Sequence, residues 1–118
     1  MHVSGTDPDC VFCKIVAGDI PAEIVSETEH TVAFRDLNGQ APTHVLVVPR
    51  LHAADIASLA VAAPDVAAAL LVETRRIAVG DGHEAYRLVF NTGADAGQSV
   101  FHVHGHVLAG RDLTWPPG

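Results

Sequence analysis

Several kinds of residue are scarce in this chain, and each scarcity excludes a class of protein. Only two of the 118 residues are cysteines, so the sequence does not encode a disulfide-rich scaffold. Basic residues number 7 against 14 acidic ones, and a formal net charge of −7 argues against a surface that binds long nucleic acid. No apolar run approaches the roughly 20 residues that span a bilayer. We therefore expect neither a membrane nor polymeric nucleic acid as a partner.

The N-terminal residues and the cysteine spacing bear on the compartment. Residues 1–5 lack the basic stretch and apolar core of a secretory signal, so we expect a cytoplasmic protein. In a reducing compartment, Cys10 and Cys13 indicate a metal half-site or a redox pair more than a structural disulfide. Hydrophobic residues make up 48% of the chain, which is enough for one core. We predict a single domain over residues 10–118, preceded by a flexible lead-in over residues 1–9.

The hydrophobic pattern predicts an α+β fold. Alternating or unbroken apolar runs indicate about five strands, mostly antiparallel, and Ala-rich segments indicate two main helices that pack against one face of the sheet. The predicted strands cover residues 24–27, 31–34, 44–49, 86–91 and 100–109, and the first two form a hairpin. The predicted helices cover residues 55–62 and 65–79, with a shorter helix over residues 10–17 that ends at Gly18.

Three histidines alternate with small residues near the C-terminus: His102, His104 and His106. Side chains alternate across a strand, so we expect the three imidazoles to point to the same side. Such a row fills a core poorly, because each buried ring nitrogen needs a hydrogen-bond partner. A single metal is a poor fit for all three, since the outer Cα atoms of a straight strand lie roughly 13 Å apart. Three interpretations are open: an exposed or internally bonded row of rings, a metal held by two of the rings, and nucleophilic catalysis by one imidazole.

The segment before these histidines favours catalysis. Residues 91–99 contain two glycines, which let the backbone approach a ligand closely, and Gln98 and Ser99 add side-chain donors. Donors around an attacking nitrogen suit phosphoryl or nucleotidyl transfer, in which positioning and charge stabilisation carry most of the catalysis. A fourth histidine, His44, opens the buried central strand. It either bonds to nearby backbone or fixes the tautomer of the nucleophile.

These segments together resemble the histidine triad (HIT) superfamily, and in particular its Hint branch of histidine triad nucleotide-binding proteins. Residues 101–108 fit the pattern His-φ-His-φ-His-φ-φ, where φ is apolar, except that Gly105 stands at one apolar position. Residues 10–16 and 20–22 are similar to the N-terminal segment of the family, and residues 40–49 to its central strand. Residues 97–100 and the Trp-Pro-Pro-Gly tail at 115–118 resemble the Hint branch, so the similarity extends over residues 10–118. Gly105 faces away from the three histidine side chains, so we expect a change in packing and no loss of chemistry: the glycine either weakens the strand slightly or admits a bulky neighbour.

The resemblance implies a fold and an activity. It implies a HIT-like α+β domain that pairs with a second copy into a homodimer with a ten-stranded sheet. Hint proteins are purine nucleoside phosphoramidases, which cleave the P–N (or related) bond at the α-phosphate of adenosine or guanosine phosphoramidates and of aminoacyl-adenylates. The partner would then be a purine nucleotide such as an AMP or GMP derivative, and catalysis would require no cofactor.

The resemblance also implies roles for individual residues. His104 would be the nucleophile that forms a nucleotidyl-histidine intermediate, and His102 would hold it through a backbone carbonyl. Asp36 would bind the ribose hydroxyls, and His44 would lie behind the other histidines. The remaining substrate-binding positions are His106, Asn91, Gln98 and Ser99 around the phosphate, with Gly97 in the same loop, Ser99 near the leaving amine, and Trp115 reaching the site of the partner subunit.

A structural zinc is a further implication. Some bacterial relatives carry the cysteine pair and bind zinc with two histidines, and the matching positions here are Cys10, Cys13, His52 and His102. The alternative is two small buried thiols. Three other functional hypotheses stay open: a nucleotide-binding regulatory protein, a dinucleoside polyphosphate hydrolase of another branch, and a zinc-dependent interaction module.

Overall fold

The computed structural model describes residues 3–4 and 6–118, and for residues 3–4 it describes the backbone alone. Within those residues, five antiparallel strands form the main sheet, in the order β2-β3-β4-β7-β6. They are β2 (Ile24–Glu27), β3 (Thr31–Arg35), β4 (Thr43–Pro49), β6 (Arg87–Val89) and β7 (Gly105–Ala109). This confirms the predicted α+β class and the five-stranded antiparallel sheet.

A second, smaller sheet joins the N-terminus to the middle of the chain. It consists of β1 (Val3–Ser4) and β5 (His52–Ala53), paired antiparallel with Val3 opposite Ala53. The predicted flexible lead-in at residues 1–9 lies partly outside the described residues, and the division of the chain at residue 10 stays a prediction.

The helices are α1 (Val11–Ala17), α2 (Ile56–Ala62) and α3 (Pro64–Gly80). Helix α1 ends at Gly18, whose φ of 83° places it in the left-handed conformation that favours glycine. Pro64 is the first residue of α3, where its missing N–H has no helical partner to lose. In the part of the chain that the structure describes, no helix is both long and apolar enough to cross a membrane.

Strand β4 is buried along its whole length, as its unbroken apolar run predicts. Its side chains alternate between two cores: Val45 and Val47 pack with α2 and α3, whereas Leu46 and Val48 pack around Phe12 of α1. The sheet therefore carries helices on both faces: the two main helices, α2 and α3, lie against one face, as predicted, and the short helix α1 covers the other. The physical reason is that the central strand is apolar on both sides, so each face needs a cover.

The predicted strand over residues 100–109 is too long, because β7 begins only at Gly105. The backbone N–H of Val103 donates to the carbonyl oxygen of Ala53 at 2.7 Å, so this stretch bonds to β5 before it joins the main sheet. His102 and His104 consequently precede the strand. Gly105 does admit a bulky neighbour, since a Cβ there would lie 2.9 Å from the ring of Phe90.

Candidate active site and metal-ligand cluster

The three histidines of the row share one face of the fold, as their spacing predicts, but they serve two clusters. The ring of Phe12 makes edge contacts with His102 and His104, with centroids 6.1 and 5.0 Å apart. His106 lies opposite Leu46 in the ladder, and Leu46 belongs to the core around Phe12. All three imidazoles therefore lie on the α1 side of the sheet.

His104 is held with one particular ring nitrogen free. Its Nδ1 lies 2.9 Å from the backbone carbonyl oxygen of His102. A carbonyl can only accept, so Nδ1 carries the hydrogen and Nε2 of the neutral ring keeps its lone pair. The ring is partly exposed and contacts His106, with centroids 5.0 Å apart. His104 thus presents an unprotonated nitrogen suited to nucleophilic attack.

A chain of hydrogen bonds fixes the tautomers behind His104. The backbone N–H of Gln40 donates to His44 Nδ1 at 3.0 Å, so the hydrogen of neutral His44 lies on Nε2. That Nε2 donates to His106 Nδ1 at 2.9 Å, which leaves the hydrogen of His106 on its own Nε2. His44 Nε2 also lies 3.4 Å from a carboxylate oxygen of Asp36. The Nε2–H of His106 has no hydrogen-bond acceptor among the residues that the structure describes.

Burial keeps these rings neutral. Loss of solvation, with smaller contributions from the neighbouring His104 and His44 rings, lowers the pKa of His106 to about 4 against an opposing contribution from Asp36. Burial also lowers the pKa of His44, against an opposing contribution from Asp36. The tautomers assigned to His44 and His106 therefore apply near neutral pH, and neither ring places a positive charge beside His104.

His102 turns away from this network into a second cluster. Its Nε2 donates to the carbonyl oxygen of Pro49 at 2.9 Å, so Nδ1 carries a lone pair. That Nδ1 lies 3.1 Å from His52 Nδ1, 3.4 Å from Cys10 Sγ and 3.5 Å from Cys13 Sγ. Cys13 Sγ is also 3.3 Å from His52 Nδ1. Two thiols and two imidazole nitrogens thus converge on one point, the arrangement expected from the resemblance.

The cluster fits a tetrahedral zinc ion. With zinc–sulfur and zinc–nitrogen bonds of about 2.3 and 2.0 Å, the ligand atoms of such a site are separated by roughly 3.3–3.8 Å. The distances measured here, from 3.1 to 3.5 Å, are close to that range. Burial raises the pKa of the Cys13 thiol and lowers the pKa of His102 to about 4. A bound cation would reverse the first effect by stabilising the thiolate.

Local structure places the two cysteines. Cys10 is the N-cap of α1, where its Sγ accepts the backbone N–H of Cys13 at 3.4 Å. Cys13 lies one turn into the helix and is buried. His52 is contributed by β5 and His102 by the segment that donates to β5, so the pairing of that strand brings both histidines to the helix.

Two of the expected ligand-binding residues in the loop before the histidines differ in exposure. Gln98 is buried, and its side chain accepts from the Gly93 N–H at 2.9 Å and donates to the carbonyl oxygens of Ala54 and Val100 at 2.7 and 3.1 Å. Both of its amide hydrogens are therefore used within the fold, which departs from the expected phosphate contact. Ser99 is exposed and lines a groove of about 480 Å³ beside the metal-ligand cluster.

Three further expected residues lie at or near the surface. The Asn91 amide nitrogen is 3.9 Å from the position of a Cβ on Gly97, so these two residues are neighbours in the loop. Trp115 is 81% exposed, and within the described residues the fold gives its ring no burying contact. The contact of Trp115 with a partner subunit stays a prediction.

Sequence reasoning missed several residues that shape the site. The Pro49 carbonyl and the Gln40 N–H fix two tautomers, but they are backbone groups that no side-chain pattern reveals. Phe12 packs on two of the histidines, and its position between the cysteines on a short helix is a signal that could have located it. Arg35 and Asp81, which hold the loop after β3, have no motif of their own.

An antiparallel sheet with neutral, tautomer-fixed histidines along one face defines an α+β protein with a histidine-triad site. The model of the HIT domain family matches residues 17–113. A HIT family hydrolase from Legionella pneumophila has a similar structure, with a TM-score of 0.89 and 44% identity over 93% of this chain and all of that chain. A histidine triad protein from Clostridium difficile gives a TM-score of 0.86 and 39% identity over 92% of this chain and 96% of that chain.

Curated relatives agree with the structural neighbours. An uncharacterised HIT-like protein of Synechococcus elongatus is 43% identical over 93% of this chain and 97% of its own length. The 14 kDa zinc-binding protein of Zea mays is 40% identical over 95% of this chain and 90% of its own length. The chain therefore belongs to the HIT domain family, which confirms the resemblance at the level of the superfamily.

Proposed function

We propose that the chain is a nucleotide-binding hydrolase of the Hint type, which cleaves the P–N bond at the α-phosphate of purine nucleoside phosphoramidates or the related P–O bond of aminoacyl-adenylates. The observation that carries this proposal is the His104 ring, whose Nδ1 donates to the His102 carbonyl and whose Nε2 is thereby left as a lone pair. The hydrolase named from Legionella pneumophila supports the reaction class.

The reaction would proceed in two displacements at phosphorus. His104 Nε2 forms a bond to the α-phosphorus while the bond to the leaving amine breaks, and the leaving nitrogen takes up a proton. Exposed Ser99 is the residue we assign to relaying that proton. Water then attacks the nucleotidyl-histidine, which releases the nucleoside monophosphate and restores the neutral imidazole. For aminoacyl-adenylates the bond broken is the P–O bond to the carboxyl group, and the same nucleophile serves.

The groups around His104 would hold the substrate. The Nε2–H of His106, oriented by His44, is a fixed donor for a phosphate oxygen. Asn91 and the backbone of the loop at Gly97 would add contacts on the same side, and Asp36 would bind the ribose hydroxyls. Because both amide hydrogens of Gln98 bond to backbone carbonyls, we assign Gln98 to holding the loop in shape.

A structural zinc ion would be held by Cys10, Cys13, His52 and His102. The convergence of two thiols and two imidazole nitrogens supports this site, as does the name of the zinc-binding relative from Zea mays. Zinc would supply a cross-link there, because the four residues come from α1, β5 and the segment before β7. Catalysis at His104 would need no metal, since its nucleophile and phosphate donors are side chains.

We further propose a homodimer and a cytoplasmic location. Strand β6 lies at the edge of the main sheet, so pairing with a second β6 would give ten strands. Beside that edge, the exposed Leu71, Val72 and Val79 of α3 surround a groove of about 620 Å³ with Tyr86. An apolar face beside a free edge favours self-association. In the dimer, Trp115 would reach the partner's site.

The decisive experiment is hydrolysis of adenosine 5′-phosphoramidate by the purified protein. We expect turnover in the wild type, loss of turnover in His104→Ala, and retained AMP binding in that variant. His30→Ala is the matched control, because His30 lies at the β2–β3 turn away from the site, and it should keep wild-type turnover. Near-normal turnover in His104→Ala would contradict the assigned nucleophile.

The same experiment separates the competing functions. AMP binding without any turnover would favour the nucleotide-binding regulatory protein. Faster cleavage of a dinucleoside polyphosphate than of the phosphoramidate would favour the other hydrolase branch. Neither AMP binding nor turnover, in a protein that retains zinc, would favour the zinc-dependent interaction module.

A further inference from the structure

An ion pair with a third partner lies at the C-terminal end of α3. The guanidinium of Arg35 donates to both carboxylate oxygens of Asp81, at 2.7 and 3.2 Å. The hydroxyl of Thr43 donates to one of the same oxygens at 2.8 Å. Asp81 itself is the C-cap of α3, where its backbone N–H bonds to the helix carbonyl of Ile77. One carboxylate thus joins a helix end to two strands.

The two partners of Asp81 flank the loop that leads to the candidate active site. Arg35 is the last residue of β3 and Thr43 is the first residue of β4. The next residues along the chain are Asp36 and His44, and the Asp36 N–H donates to the His44 carbonyl oxygen at 3.0 Å. Asp81 therefore fixes both ends of the segment that carries the proposed ribose ligand.

The geometry of the ion pair between Arg35 and Asp81 makes it stronger than an ordinary surface ion pair. Arg35 and Asp81 are partly buried, and a bidentate bond between guanidinium and carboxylate is directional as well as charged. The hydrogen bond from Arg35 lowers the pKa of Asp81, and Thr43 adds to that effect. Arg35 also lies 3.6 Å from Glu23, but that carboxylate is largely exposed and makes a single contact. Asp81 is thus the principal partner of Arg35.

The other side of the site is held independently of Asp81. His104 is fixed by the carbonyl of His102, and His106 is held within β7 between Leu46 of β4 and Val89 of β6. Asp36, by contrast, follows Arg35 directly, and its carboxylate accepts the backbone N–H of Asn38 at 2.7 Å and lies 3.4 Å from His44 Nε2. Loss of the Asp81 contact should therefore disturb the nucleoside end of the site more than the phosphate end.

We propose that Asp81 is a positioning residue for the nucleoside, acting through Arg35 and Thr43 on Asp36. The inference rests on the proposed function, because it takes Asp36 as the ribose ligand. Its role is to hold the Asp36 carboxylate at a fixed distance from the histidines, so that ribose hydroxyls and phosphate are bound at once. Asp81 touches neither substrate nor reacting atoms.

The test compares Asp81→Asn with the wild type on two nucleotides. We expect AMP affinity to fall about tenfold, the size of one charge-assisted hydrogen bond, while the affinity for 2′,3′-dideoxy-AMP stays within about twofold. With adenosine 5′-phosphoramidate, KM should rise by a similar factor and kcat should change little. Asparagine keeps the size of the side chain and an oxygen for Thr43, so the loss is confined to the ionic contact.

Two further variants make the outcome decisive. Glu23→Gln removes the weaker contact to the same arginine and should leave both affinities unchanged. Arg35→Lys keeps the charge but loses the fork geometry, so it should show the same effect as Asp81→Asn. It therefore tests the inference even if Asp81→Asn does not fold. Equal loss of affinity for AMP and the dideoxy analogue, or no loss for either, would overturn the positioning role.

If the wild type binds AMP no better than the dideoxy analogue, Asp36 is not a ribose ligand and the inference fails. Hydrolysis dependent on His104 would still stand in that case.

Discussion

Among individual residues, the buried histidines of the candidate active site make the protein's stability depend on pH. Burial lowers the pKa of His106 to about 4 and also lowers the pKa of His44, so both rings bind protons less readily in the folded protein than when unfolded. Their contribution to stability is complete above the unfolded value of about 6.5 and is lost as the pH falls from there toward 4. We therefore expect the free energy of unfolding to decrease over that interval.

Urea denaturation at several pH values between 7 and 5 would measure this dependence. His106→Gln removes one titrating ring and should give a shallower decrease than the wild type. His30→Gln changes a histidine at the β2–β3 turn and should leave the slope as it is. If His106→Gln and the wild type had the same slope, His106 would not be the buried neutral ring described above.

At the scale of the element, the metal-ligand cluster decides how firmly α1 is attached. Helix α1 has only seven residues, too few to be stable alone, and it covers one face of the sheet through Phe12. We expect about one zinc ion per chain in the purified protein, and we expect Cys13→Ser to lose most of it and to melt at a lower temperature. Metal analysis and thermal denaturation measure both effects.

A matched substitution separates zinc binding from simple packing. Thr28→Ser changes a side chain in the β2–β3 turn and should keep the full zinc content. Equal zinc in wild type and Cys13→Ser would leave the cysteines as buried thiols. A lower melting temperature of Cys13→Ser that persists after a chelator has stripped both proteins would assign the loss to packing.

Most elements were predictable because their signals are local. The apolar run of β4, the glycine after α1 and the proline at the start of α3 each mark an element within a few residues. The strand over residues 100–109 failed for the opposite reason: Val103 donates to Ala53, which lies 50 positions away in the sequence. No local periodicity reveals such a contact, so a regular alternation extended the strand past its true beginning.

For the whole molecule, we expect the apolar face of α3 beside the β6 edge to determine self-association. Val72 on this face is 62% exposed, and we expect Val72→Glu to convert the proposed dimer to a monomer, since it places charge in the interface. Val61 on α2 is 69% exposed and lies outside the groove, so Val61→Glu should stay dimeric. Sedimentation or light scattering would measure the mass; an unchanged mass for Val72→Glu would place any dimer contact elsewhere.

Periodicity and short spacing in the sequence were enough to predict the α+β class, the shared side of the three histidines, and the proximity of Cys10 to Cys13. The hydrogen-bond partners and tautomers of the individual histidines depend on the tertiary structure. His102 joins His52 and the cysteines, and the Pro49 carbonyl and the Gln40 N–H set the tautomers of His102 and, through His44, of His106. Those partners are backbone groups or distant residues, and only the folded chain brings them within hydrogen-bond reach. The contacts that hold the Asp36 loop to Asp81 also depend on the folded structure, because Asp81 at the end of α3 lies far along the sequence from Arg35 and Thr43.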